Sequence, residues 1–132
     1  MNCPSKDSMK PFITFEGQGQ AAIDLYQSIF PSFQLDSIQH HAAPHDSLIM
    51  MAKFSIQGQE VMISDSPISH EWEITPGISF FLEVESVEVL RGLSEKLAVD
   101  GKVMMPAGNY GFSTMFTWVE DQFGVNWQLN VN

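Results

Sequence analysis

The segment Gly17-Gln18-Gly19-Gln20-Ala21-Ala22 follows a short apolar run, Ile13 to Phe15, and precedes residues at helical spacing. As a string it is G-x-G-x-x-A, the turn that brings backbone N–H groups to a pyrophosphate in dinucleotide-binding folds. Asp36 stands about 20 residues further on, where an acid would take a ribose hydroxyl. That chemistry needs a buried parallel strand before the glycines and a second parallel strand that ends in the acid. Asp36 falls instead inside the alternation of residues 33–39, and an antiparallel hairpin follows. Gly17 and Gly19 are therefore read as turn residues that let the chain enter a helix at residues 20–22.

Other chemistry-bearing residues are sparse. His40-His41-x-x-x-His45 has the composition of a metal tract but lies in a Pro-containing loop with no second set of ligands, so it reads as a solvated loop. His70, with Glu71 and Glu73, falls in a linker that could line a pocket mouth. Asp65 ends a strand in Ile63-Ser64-Asp65-Ser66-Pro67 and reads either as a carboxylate at a pocket rim or as a turn residue bonding backbone. No paired carboxylates at fixed spacing, no G-x-S-x-G elbow and no Walker loop occur.

Composition narrows the function classes. Six Lys and Arg against 16 Asp and Glu give a formal net charge of −10 over 132 residues. That charge repels nucleic-acid backbones and anionic membrane surfaces. Hydrophobic residues make up 44%, enough for a packed core. Cys3 is the single cysteine, so no intrachain disulfide can form. With no run of roughly 18 apolar residues and no apolar signal core, the expectation is a soluble protein of the cytoplasm.

The elements that must position any site fall into two similar series. Residues 12–16 read as a strand, and Ala21, Ala22, Leu25, Tyr26, Ile29 and Phe30 as a helix stripe stopped by Pro31. Residues 33–39, 48–56 and 60–65 read as strands, the last two joined as a hairpin through Gln57-Gly58-Gln59. After a Pro- and Gly-containing linker the order repeats. A strand at 78–85 leads to a helix capped by Ser86, with Leu90, Leu93 and Leu97 as its stripe and Gly101 as its stop. Three strands follow, at 102–106, 112–120 and 125–130, with Trp118 and Trp127 on apolar, core-packing faces. The predicted class is α+β: one domain of two βαβββ modules, about 10–66 and 77–131, joined by a linker at 67–76. Neither module has enough sheet to close a core alone, so the two are expected to pair.

In each series one strand face is apolar and suits helix packing. The other mixes polar and apolar groups: Met51 beside Lys53; Ser79 and Phe81; Met115 and Thr117; Gln128 among asparagines. Gathered on a curved sheet, these would make a small-molecule concavity.

Five stretches, ITFEGQGQAAIDLYQSIF, FSIQGQEVMISDSP, TPGISFFLEVES, EKLAVDGKVMMP and FTWVEDQFGVNWQL, cover most of the chain. In that order the chain resembles the PhnB-like group, labelled 3-demethylubiquinone-9 3-methyltransferase domains, of the vicinal oxygen chelate (glyoxalase/bleomycin-resistance) superfamily. The closing D-x-F-G-V-x-W-Q-L is the most specific part. The resemblance implies a glyoxalase-like fold, a cupped, partly open and mainly antiparallel barrel, and a homodimer. Metal-using relatives place His, Glu or Gln at four positions. Here these fall near Pro11–Phe12, within Glu60–Ser64, at Ser79 and at Gln128, and Met51 stands where many PhnB-like chains carry a His. One amide and a serine are a poor donor set for a divalent ion, so no metal and no other cofactor is expected. The expected function is binding of a small organic molecule by Met51, Ser64, Asp65, Ser79, Phe81, Met115, Thr117 and Gln128, with catalysis open. The alternatives are a metal-dependent isomerase, lyase or dioxygenase, and a methyltransferase. The last is disfavoured because methyl-donor sites are usually built on parallel sheets with crossovers.

Overall fold

The computed structural model describes residues 8–132, so Cys3 lies outside the described residues. The chain forms two compact units, Met1–Ser69 and His70–Asn132. The division falls inside the Pro- and Gly-containing linker, where backbone pairing lapses between residues 66 and 79.

The first unit runs β1 (Phe12–Phe15), α1 (Gly19–Ile29), β2 (Gln34–His40), β3 (Ile49–Ile56) and β4 (Gln59–Asp65). Its sheet has the order β1-β4-β3-β2. β3 pairs antiparallel with β2 and β4, whereas β1 lies parallel to β4 with Phe15 beside Asp65. The α1 stripe buries Ala22, Ile23 and Tyr26, and the Tyr26 ring packs 6.1 Å from Phe54 of β3. On that side the sheet presents Ile63, Val61, Ala52 and Phe54, all buried. Fully burying side chains of this size contributes about 1.5–3 kcal/mol each.

The second unit repeats the order: β5 (Phe80–Glu83), α2 (Val87–Ala98), β6 (Lys102–Gly108), β7 (Met115–Glu120) and β8 (Asn126–Val131). The sheet is β5-β8-β7-β6, with β5 parallel to β8 and the other pairs antiparallel. Leu90, Leu93 and Leu97 of α2 are buried, and the helix lies across β7 and β8. Ser86 caps it as expected, its Oγ accepting from the Val89 N–H at 3.2 Å. Both units are therefore βαβββ modules, the α+β class expected.

Several details depart from the sequence reading, among them a longer β6, to Gly108 rather than residue 106, and a later start of β7, at Met115 rather than residue 112. β3 carries a bulge at Met50, between the pairs Gln39–Met51 and His40–Ile49. The extra residue reverses the alternation, so Ile49 is buried and Met50 exposed. β5 is shorter than residues 78–85, and Ile78 is exposed. The stop of α2 is not the Gly101 backbone angle, because Asp100 takes the left-handed conformation, φ 57°. Gly101 is required for space: a Cβ there would collide with the Glu120 carbonyl oxygen and crowd the Asp121 backbone.

Candidate functional site

Each sheet has one face covered by its helix and one facing away, called here the open face. Register assigns the side chains. In the second sheet Trp127 and Leu129 lie under α2, so their direct partners Phe80, Leu82, Val119 and Thr117 do too. The open face carries Phe81, Gln128 and Trp118 in one row and Glu83, Asn130 and Phe116 in the next. Asn126 and Glu120 follow, with Lys102 opposite Glu120.

Ser79, Phe81 and Gln128 thus share one face, as expected. The Gln128 amide donates to Ser79 Oγ at 2.8 Å. Met51 and Ser64 belong to the open face of the first sheet, the side of Lys53, Met62 and Thr14. Met115 and Thr117 do not reach an open face. Thr117 stands opposite Leu129 on the helix side, is buried, and donates its hydroxyl to the Met105 carbonyl at 2.8 Å. Both faces of β7 are apolar, so alternation alone left its orientation undecided. Trp118, expected in the core with Trp127, is on the open face and donates Nε1 to Asn126 Oδ1 at 2.9 Å.

Asp65 also lies on the helix side and is only 2% exposed. Its Oδ1 accepts from the Gly17 and Gly19 N–H groups at 3.1 and 2.9 Å, and its Oδ2 from the Ile49 N–H at 3.0 Å. The carboxylate is neither at a rim nor in a local turn; it bonds amides 46 and 48 residues away. Helix α1 has no side-chain cap from Gln18, and Asp65 supplies the missing acceptor at its positive end. The G-x-G turn is therefore an anion-binding turn whose anion is the chain's own. Space at Gly19 is tight, since a Cβ would sit 3.0 Å from both carboxylate oxygens. No spacing in the sequence pointed to this pairing.

The histidines disperse. His40 closes β2 and is exposed, as is His45. His41 Nε2 lies 2.8 Å from the Asp65 carbonyl oxygen, an acceptor that places the ring proton on Nε2. His70 stacks on Trp72 at 4.4 Å. Among the described residues no three His, Cys, Asp or Glu side chains converge as a metal site would require. Ser79 and Gln128, where the resemblance led us to look for metal ligands, engage each other, and neither is a strong metal ligand. These residues do not fit a tightly held divalent ion.

Sequence reasoning missed an aromatic cluster. Phe116, buried on the open face, is met by Phe112 at 5.1 Å, Tyr110 at 5.9 Å and Phe81 at 6.5 Å. Phe112, Phe81 and Tyr110 remain 61%, 55% and 42% exposed. The Phe-Ser-Thr-Met-Phe spacing was visible, but the loop at 109–114 that folds Tyr110 and Phe112 over Phe116 was not. Beside Phe116, Asn130 is 4% exposed and its Oδ1 has no hydrogen-bond partner. Such a buried orphan acceptor costs about 1–3 kcal/mol and calls for an explanation. On the first sheet, Glu60 bridges Lys53 at 3.2 Å and Lys10 at 3.7 Å. The Lys53 hydrogen bond holds the Glu60 carboxyl below the usual range.

Comparison with known proteins gives the same fold and extends it. A solved structure described as a putative 3-demethylubiquinone-9 3-methyltransferase, PhnB protein, from Bacillus cereus is 33% identical. It covers 96% of this chain and 100% of its own, with a TM-score of 0.89. Protein YjdN of Escherichia coli (strain K12) is 27% identical over 93% of this chain and 94% of its own length. A glyoxylase/bleomycin resistance protein/dioxygenase domain from Frankia sp. EAN1pec, 13% identical, shares the fold at a TM-score of 0.68, covering 98% of this chain and 93% of its own. The profile of the family described as 3-demethylubiquinone-9 3-methyltransferase matches residues 7–130. With both modules spanned by that match, the chain belongs to this PhnB-like family.

Proposed function

We propose that the protein binds a small organic molecule on the open face of its second sheet, without a metal. One observation carries this reading. Three large aromatic side chains, Phe81, Tyr110 and Phe112, stay in solvent around Phe116 and beside the polar pair Ser79–Gln128. Apolar walls with a few fixed polar groups are the usual makeup of a ligand site. Exposed rings so grouped cost solvation free energy that a ligand would recover. The test is a ¹⁵N-resolved NMR titration with 2-phenylethanol. Shifts confined to Phe81, Tyr110, Phe112 and their sheet neighbours are expected, and their absence at millimolar probe would remove the reading.

The same proposal places the protein in the cytoplasm as a homodimer that holds no cofactor. Sedimentation should give about twice 14.8 kDa at micromolar concentration; a monomer contradicts the dimer. Elemental analysis of chelator-free protein should show no stoichiometric Zn, Fe, Mn or Ni. The family description names a methyltransferase, which predicts heat on titration with S-adenosylmethionine. We expect none, since both sheets are built around hairpins rather than a parallel crossover series.

A further inference from the structure

We infer that the ligand of this face carries a hydrogen-bond donor, an amine or a hydroxyl, on an aromatic or apolar body, and that Asn130 Oδ1 is the acceptor that selects it. The inference rests on the aromatic cluster being a ligand surface and adds the chemical class. The argument begins with the orientation of two amides. Asn132 Nδ2 donates to Glu83 Oε1 at 3.3 Å, because a carboxylate only accepts. Asn132 must then turn its Oδ1 toward Asn130. Asn130 answers with Nδ2 at 3.1 Å. That chain of donors fixes the amide assignment and leaves Asn130 Oδ1 as the unpaired atom.

Asn130 sits between Glu83 and Phe116 in the register of the sheet, next to the cluster. Both polar groups of this row, Asn130 Oδ1 and the Glu83 carboxylate, are acceptors. A carboxylate or phosphonate ligand would meet acceptors with acceptors, at a face whose row holds a negative charge. Asn130 Oδ1 is closed to solvent, so the side chains over it must part for an ammonium or hydroxyl group to satisfy it; the aromatic body can then lie against Phe81 and Phe112, an ammonium also gaining from the ring faces. A site built around a buried acceptor rejects analogues that lack the donor.

Four probes on the full-length protein decide the matter: phenethylamine, 2-phenylethanol, the methyl ether of 2-phenylethanol, and phenylacetate. Binding is read from backbone shifts at Phe81 and Phe112 and from the Asn130 side-chain amide. The amine and the alcohol should bind about tenfold tighter than the ether and the phenylacetate, one hydrogen bond's worth. In Asn130→Leu that preference should vanish while residual binding to the rings persists. Equal affinity of ether and alcohol, or tighter binding of phenylacetate, would overturn donor selection and leave the ligand surface standing. Shifts from none of the four would overturn the ligand surface itself. A folded Asn130→Leu that keeps the preference also refutes the role of Asn130. If that variant does not fold, the alcohol–ether comparison on the natural protein decides alone.

Discussion

Two buried carboxylates organise the two units in a similar way, each by accepting from backbone amides. Asp65 gathers Gly17, Gly19 and Ile49. Asp121, also 2% exposed, accepts from the Phe123 and Val125 N–H groups at 2.9 and 3.0 Å and from Trp127 Nε1 at 2.9 Å. Charged acceptors of this kind form stronger bonds than neutral ones. Asp65→Asn removes the charge and turns an NH₂ toward at least one amide donor. The expected loss is about 2–4 kcal/mol in urea unfolding, with the same fold retained. The half-exposed trio of Lys10, Lys53 and Glu60 is a different case. The folded pKa of Glu60 is depressed, chiefly by its hydrogen bond to Lys53. Its contribution is therefore present above the unfolded value and lost as pH falls through the folded one. Solvent and salt screen the pair, so the effect on stability is small. The measurable outcome is in the titration: Lys53→Met should move the Glu60 midpoint upward, toward 4.5, by NMR.

The two helices solve the same problem with different means. α2 has a local cap, Ser86, and an acid, Glu88, in its first turn. Ser86→Ala should cost about 1 kcal/mol in denaturant unfolding. α1 has neither and depends on a residue at the end of β4. This contrast marks how far the sequence could be read. Serine before a helical stripe is a local signal, and it located the start of α2 to the residue. Apolar spacing likewise located both helix stripes and the order of all eight strands. What escaped was non-local or degenerate. The Asp65 bonds join residues far apart in the chain. The bulge at Met50 follows from pairing with β2 rather than from residue type. Met115, Phe116, Thr117 and Trp118 alternate between two faces that both accept apolar groups, so hydropathy could not choose between them. The placement of Met115, Thr117 and Trp118 was therefore reversed, and the aromatic cluster around Phe116 went unseen.

At the scale of the molecule, two modules of one topology carry a net charge of −10. Like charges repel within a compact state, and salt relieves that repulsion. Raising ionic strength from about 0.01 to 0.15 M shortens the screening length from about 30 to 8 Å. The thermal midpoint should rise by a few degrees over that range, as read by circular dichroism; a fall would mean that attractive pairs such as Lys53–Glu60 dominate. No helix of the described residues is long and apolar enough to cross a membrane. The carboxylate at the end of β4 has a last consequence, one of time rather than energy. Helix ends open first, and their amide hydrogens ordinarily exchange with solvent in the fast class. The Gly19 hydrogen is bonded to a buried acceptor on a neighbouring strand, so its release requires that strand to part from the turn. In deuterated water it should therefore persist with the core of the first sheet, while the Val89 hydrogen at the serine-capped end of α2 is lost early.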